Sequence, residues 1–121
     1  ISKKQKFMET AHIVKKPWGE YVVVEQNEGY WIKKILVKEG ARLSLQSHKG
    51  RSETWIVLSG KIEAVKEDSH FVLGEGESIT IDKNEKHRII GLQKSWILEV
   101  AFGDVREDDI TRFEDDYGRI K

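Results

Sequence analysis

Apolar and β-branched residues come in short runs along this chain: Tyr21–Glu25, Tyr30–Lys38, Arg42–Gln46, Thr54–Leu58, Lys61–Lys66, Phe71–Leu73, Ser78–Ile81, His87–Ile90 and Trp96–Phe102. Glycines at 19, 29, 40, 50, 60, 74, 76, 91 and 103 punctuate them. Short strands broken at regular intervals by glycine predict an all-β sandwich or barrel. Helical periodicity is almost absent before residue 104. The acidic segment Gly103–Arg119 carries Val105, Ile110, Phe113 and Tyr117 as apolar anchors, and it predicts either a short helix or an extended strap. No internal repeat or low-complexity linker interrupts the pattern.

Four polar residues stand out against this background. Gln46, His48 and Glu53 lie close together, and His87 follows thirty-four residues after Glu53. Side chains alternate faces along a strand, so Gln46 and His48 point the same way. Glu53 returns on the next strand after a turn containing Gly50, and His87 arrives from a later strand. Two imidazoles with a carboxylate and an amide oxygen suit a divalent first-row metal. A lone histidine in a strand is ordinarily a packed or exposed residue, so the argument rests on the joint pattern. His12 and His70 have no such company.

Composition narrows the setting. The 121 residues suffice for one domain with an ordinary core. Twenty-one basic residues balance 21 acidic ones. That balance argues against nucleic acid or an anionic membrane as a partner, because both select for excess positive charge. With no cysteine, any metal must be held by nitrogen and oxygen ligands. No apolar run approaches the roughly 20 residues needed to span a bilayer. The basic start is not followed by a signal-like apolar stretch. The expectation is a cytoplasmic protein, with residues 1–14 as an N-terminal extension and 15–121 as the folded domain.

The spacing Gly40, five residues, Gln46, one residue, His48, four residues, Glu53, six residues, Gly60 resembles the first cupin motif, with Gln46 where many cupins have histidine. A looser second motif runs from Gly76 through Ser78–Ile81 to Lys86-His87-Arg88. Closer still, Lys16–Gly19, Gly40–Gln46, Arg51–Trp55 and Phe113–Arg119 resemble the type II mannose-6-phosphate isomerases. In that family the module is usually the C-terminal half of an enzyme that also has mannose-1-phosphate guanylyltransferase activity. The resemblance implies a cupin double-stranded β-helix, or jelly-roll barrel, and one divalent metal ion. Zinc is the first expectation, with manganese, iron, cobalt or nickel as alternatives. It also implies a homodimer and a sugar-phosphate substrate. Two departures are visible: Lys49 and Gly50 replace two further histidines after His48, and Asp82 and Asn84 replace a proline and glycine before His87. Both fall at the rim and leave the ligands in place.

The implied activity is metal-dependent interconversion of mannose 6-phosphate and fructose 6-phosphate, with Gln46, His48, Glu53 and His87 as metal ligands. Arg51 shares the ligand face if its strand begins that early, and could clamp phosphate. Arg42 shares strand parity with Gln46 and is expected at the cavity too. Arg88, next to a ligand, should face away. Of Lys33 and Lys34 one must face inward, and the resemblance favours Lys33. Glu99, a single acid in the apolar run Trp96–Phe102, is the candidate proton-transfer group. Lys33 is a second candidate, and a lysine partner on the outer face is the alternative for Glu99. Trp18, Trp31, Trp55 and Trp96 are expected as core or mouth packing. The rival functions are a non-catalytic sugar-phosphate-binding or regulatory cupin, and a different metal-dependent cupin enzyme.

Overall fold

A computed structural model describes residues 12–120. Eleven strands form: β1 (Ile13–Lys16), β2 (Gly19–Gln26), β3 (Tyr30–Val37), β4 (Leu45–Ser47), β5 (Arg51–Ser59), β6 (Lys61–Lys66), β7 (Ser69–Gly74), β8 (Ser78–Ile81), β9 (His87–Gly91), β10 (Ser95–Gly103) and β11 (Thr111–Glu114). One sheet has the order β1-β2-β3-β10-β5-β8 and the other β11-β4-β9-β6-β7, with antiparallel neighbours throughout. The two sheets face each other as a jelly-roll barrel. No helix appears among the described residues, so the tail is a strap, anchored by β11 pairing with β4. Most of the anticipated N-terminal extension lies outside the described residues, but β1 starts at Ile13 and pairs with β2, inside its expected boundary.

Period-two alternation sorts the barrel interior from its surface. On β3 the buried positions are Trp31, Lys33, Ile35 and Val37; on β5 they are Arg51, Glu53, Trp55 and Val57; on β10 they are Ser95, Ile97, Glu99 and Ala101. The register places Glu99 opposite both Trp55 and Lys33. Lys33, Arg51, Glu53 and Glu99 therefore point inward toward one end of the barrel, where Trp31, Ala101 and Val105 form a small apolar cluster beside them. Ile35, Val37, Val57 and Ile97 point inward toward the other. The apolar end is the core, where Ile35, Val37, Val57 and Ile97 meet Ile62, Ala64 and Ile89 of the opposite sheet. Trp18 and Trp55 belong to that core. Trp96 does not: it lies on the other face of β10, where the Lys34 ammonium sits 4.7 Å from its ring centre. Lys34 thus takes the outer face and Lys33 the inner one.

Gly103 fixes how the chain leaves β10. Its φ of 122° is in a region that side-chain-bearing residues avoid, and an added Cβ would sit 2.3 Å from the Gly50 carbonyl oxygen. This close approach lays the segment after β10 across the β4–β5 turn, beside the polar end of the barrel.

Candidate metal centre

His48 follows β4 directly, Glu53 is the third residue of β5, and His87 opens β9. All three are almost wholly buried. Their potential ligand atoms lie within 4.8 Å of one another, a grouping that could hold a metal ion. His48 Nε2 lies 3.1 Å from His87 Nε2 and 3.2 Å from Glu53 Oε2. Gln46 lines the same cavity and stands opposite His87 in the β4–β9 ladder.

The tautomers follow from the far side of each ring. His48 Nδ1 is 2.7 Å from the Asp109 carbonyl oxygen, and His87 Nδ1 is 2.9 Å from the Glu85 carbonyl oxygen. Carbonyls only accept, so each Nδ1 carries a proton, and each Nε2 is turned inward as the ring atom available to a ligand. Burial lowers the His48 pKa to about 4, against the pull of Glu53, so the ring is neutral at neutral pH. Two imidazole Nε2 atoms 3.1 Å apart beside a carboxylate form a donor set that a cation would satisfy. Burial raises the pKa of Glu53, but His87, His48 and Arg51 outweigh it and leave the group ionised, at about 2. Trp55 Nε1 donates to Glu53 Oε1 at 3.1 Å and orients the carboxylate.

Arg51 is buried in the same site, not solvated in a turn. Its Nε donates to Glu53 Oε2 at 2.9 Å and its Nη1 to the Arg106 carbonyl at 2.8 Å, while Nη2 lies 3.1 Å from His48 Nε2. The guanidinium stacks on Trp31, 4.5 Å from the ring centre. Glu99 faces the cavity rather than the outer sheet surface, and Trp31 Nε1 donates to it at 2.7 Å. Burial, reinforced by the charge on Glu53, raises its pKa to about 8 against the opposing pull of Lys33. Lys33 also lines the cavity; its ammonium donates to Glu107 and lies over the rings of Tyr21 and Trp31.

Arg42 is elsewhere. It forms a bidentate pair with Asp116, at 2.6 and 2.8 Å, and does not line the cavity. The expected strand from residue 42 is interrupted before β4, and Leu43 and Ser44 both face the cavity, so parity with Gln46 is lost. Arg88 faces away from the cavity, donating to the Leu43 carbonyl and to Glu114.

Several contributors carry no signal in local patterning. Asp109 organises the His48 turn: besides its carbonyl contact, its carboxylate accepts from Lys49 N at 2.9 Å and Gly50 N at 2.8 Å. Glu107 accepts from Lys33 and from Tyr21 Oη. Arg112 and Arg119 line the cavity from the tail. Arg119 ends the family-like Phe113–Arg119 stretch, which was the only hint of a role. The cavity these residues enclose, about 150 Å³, is polar on the triad side and apolar toward Ile35, Leu43 and Ile89.

A family model described as Mannose-6-phosphate isomerase C-terminal matches residues 3–115. The chain belongs to that family. Its relatives include the xanthan biosynthesis protein XanB of Xanthomonas campestris pv. campestris, 42% identical over 109 residues, and the alginate biosynthesis protein AlgA of Pseudomonas aeruginosa, 44% identical over 109 residues. The mannose-1-phosphate guanylyltransferase ManC of Salmonella typhimurium is 39% identical over 110 residues. Each alignment covers 88% of this chain but only 23% of the relative, so the chain spans about a quarter of their length. Among solved structures, an RmlC-like cupin from Shewanella frigidimarina superposes with a TM-score of 0.73 at 23% identity, covering 83% of this chain and 89% of that one. The nucleoside dehydratase Pac13 of Streptomyces superposes with a TM-score of 0.78 at 17% identity, covering 88% of each chain. At these identities the likeness establishes the cupin fold alone. Within the family, the chain is an isomerase-like C-terminal module on a cupin barrel.

Proposed function

We propose that this module interconverts mannose 6-phosphate and fructose 6-phosphate with one divalent metal ion. The observation that carries the reading is the buried His48–Glu53–His87 group sharing a cavity with the buried acid Glu99. Gln46 would complete the ligand set through its amide oxygen. A bound metal, zinc first among the candidates, would supply a Lewis acid for the sugar oxygens.

Glu99 serves as the proton carrier. Its carboxylate takes the proton from C2 of the aldose as C1–C2 gains double-bond character and the C1 oxygen gains negative charge. Returning that proton to C1, with the O2 hydroxyl proton passed to the C1 oxygen, leaves the carbonyl at C2 and a hydroxyl on C1. Trp31 Nε1 fixes the carboxylate, and burial holds its affinity for a proton near that of a general base at neutral pH. Lys33, engaged with Glu107 and two aromatic faces, acts as a fixed positive charge rather than as the base. Arg51 adds a second fixed cation beside Glu53. The relatives' names support a place in mannose-linked sugar biosynthesis. A cytoplasmic homodimer fits this reading, with the exposed Phe71 and Val72 on the edge strand β7 as a pairing surface.

The test is coupled detection of fructose 6-phosphate formed from mannose 6-phosphate by metal-stripped protein. Zinc, manganese, iron, cobalt and nickel are restored one at a time, with His48→Ala in parallel. Turnover that depends on metal and vanishes in H48A is expected. Metal binding without turnover would instead leave a sugar-phosphate-binding module or an enzyme for another substrate. Failure to bind any metal would reduce the triad and Arg51 to a structural ionic network.

A further inference from the structure

Gln46 of β4 stands opposite His87 of β9 on one side and opposite Arg112 of β11 on the other. Directly opposed residues of antiparallel strands share a face, so His87, Gln46 and Arg112 form one row across the inner face of the sheet. Neighbouring strands are spaced by about 5 Å, which puts Arg112 roughly 10 Å along the row from His87. Both Gln46 and Arg112 line the cavity. One end of the row is the metal triad, and the other is a guanidinium.

Three of the other four cavity cations have acidic partners; Lys16, at the end of β1, has no ion pair among the described residues. Arg51 is paired with Glu53, Lys33 with Glu107, and Arg119 bidentately with the buried Asp115. Arg112 differs: its Nε is the buried side-chain nitrogen or oxygen with no hydrogen-bond partner among the described residues. Its proton affinity is lowered first by burial and then by the charge of Arg119, with Asp115 opposing. A buried donor on a guanidinium is costly to leave unmet, and a guanidinium fork matches a phosphate in both charge and geometry.

We infer that Arg112, seconded by Arg119, is the subsite for the phosphate group of the substrate, at the opposite end of the row from the metal triad. This rests on the sugar-phosphate reading above and replaces Arg51 and Arg42 as the phosphate clamp. An open-chain hexose 6-phosphate has its reacting carbons at one end and its dianion at the other. The row offers a partner to each: metal ligands for the C1–C2 end and Arg112 for the phosphate. The strap that carries Arg112 is therefore part of the binding site.

The experiment measures binding of mannose 6-phosphate, inorganic phosphate and mannose to the metal-loaded chain, Arg112→Gln, Arg112→Lys and the exposed control Lys61→Gln. In R112Q, affinity for mannose 6-phosphate and inorganic phosphate should fall about tenfold to a hundredfold. Metal content and mannose affinity should stay unchanged, and R112K should fall between. Inorganic phosphate should raise the melting temperature of the parent chain and not that of R112Q. With no phosphate present R112Q should melt no lower than the parent, whereas a purely structural arginine would cost stability. A folded, metal-loaded R112Q that binds both phosphates as the parent does overturns the subsite, as does an equal loss in K61Q. If the parent chain binds phosphate through Arg112 but never isomerises mannose 6-phosphate, the subsite stands and the isomerase reading falls.

Discussion

Glu99 and Glu53 are two inward carboxylates of adjacent strands held in opposite protonation states. Glu53 has two imidazoles and a guanidinium around it and stays ionised, while Glu99 has burial and a neighbouring negative charge against it, so its pKa rises to about 8. A carboxyl raised above its unfolded value stabilises the fold while protonated. That stability is lost as pH rises from the ordinary carboxylate range through the folded value. Metal-free protein should therefore lose melting temperature from about pH 5 to about pH 9, and Glu99→Gln should flatten that fall. Under the isomerase reading E99Q should also abolish turnover while leaving metal content intact, and parent activity should rise with pH as Glu99 ionises. A bound cation would draw that rise toward lower pH. An E99Q variant with parental turnover would remove Glu99 as the base.

At the scale of elements, the site depends on the segment after β10 more than on any one strand. Gly103 brings that segment against Gly50, and from there Arg106, Glu107 and Asp109 reach Arg51, Lys33 and His48 respectively. The Asp109 carboxylate holds two amides of the His48 turn, so Asp109→Ala should loosen the ring without touching the ligand itself. Metal affinity is expected to drop about 10- to 100-fold, measured by competition with a chelating dye. Unchanged affinity would mean that packing alone positions His48.

The barrel as a whole separates two tasks along its axis. Polar inward residues gather toward one end, and the apolar core fills the other, touching the triad through Trp55, which donates to Glu53 and packs against His87. Ile62, fully buried there, should cost about 2–5 kcal/mol on truncation to alanine. The variant should still bind metal with parental affinity wherever it remains folded, as denaturation and metal titration together would show. Loss of metal binding in a folded Ile62→Ala would mean that the two ends are coupled. Among the described residues β1, β8, β11 and β7 are the edge strands, and chain mass in solution tests the proposed dimer.

The alternation of Trp31, Lys33, Ile35 and Val37, and of Glu53, Trp55 and Val57, was legible in the chain itself, because strand periodicity is local and burial follows it. So was the grouping of His48, Glu53 and His87, since a strand, a tight turn and a return fix which way side chains point. The strands β1 and β11 were not legible: Ile13–Lys16 and Thr111–Glu114 are short, exposed and partly charged, and only their partners make them strands. Arg42 misled because parity holds only while a strand is unbroken, and this one breaks before Leu45. The placement of Arg112 beside Gln46, and of Asp109 behind His48, joins residues about sixty positions apart. Such register depends on how the tail closes over the barrel. Local sequence determined the central strands and the inward face of the triad residues. Only the closed tertiary structure decided the edge strands β1 and β11 and what surrounds the triad, because those contacts are made by chain segments that meet nowhere else.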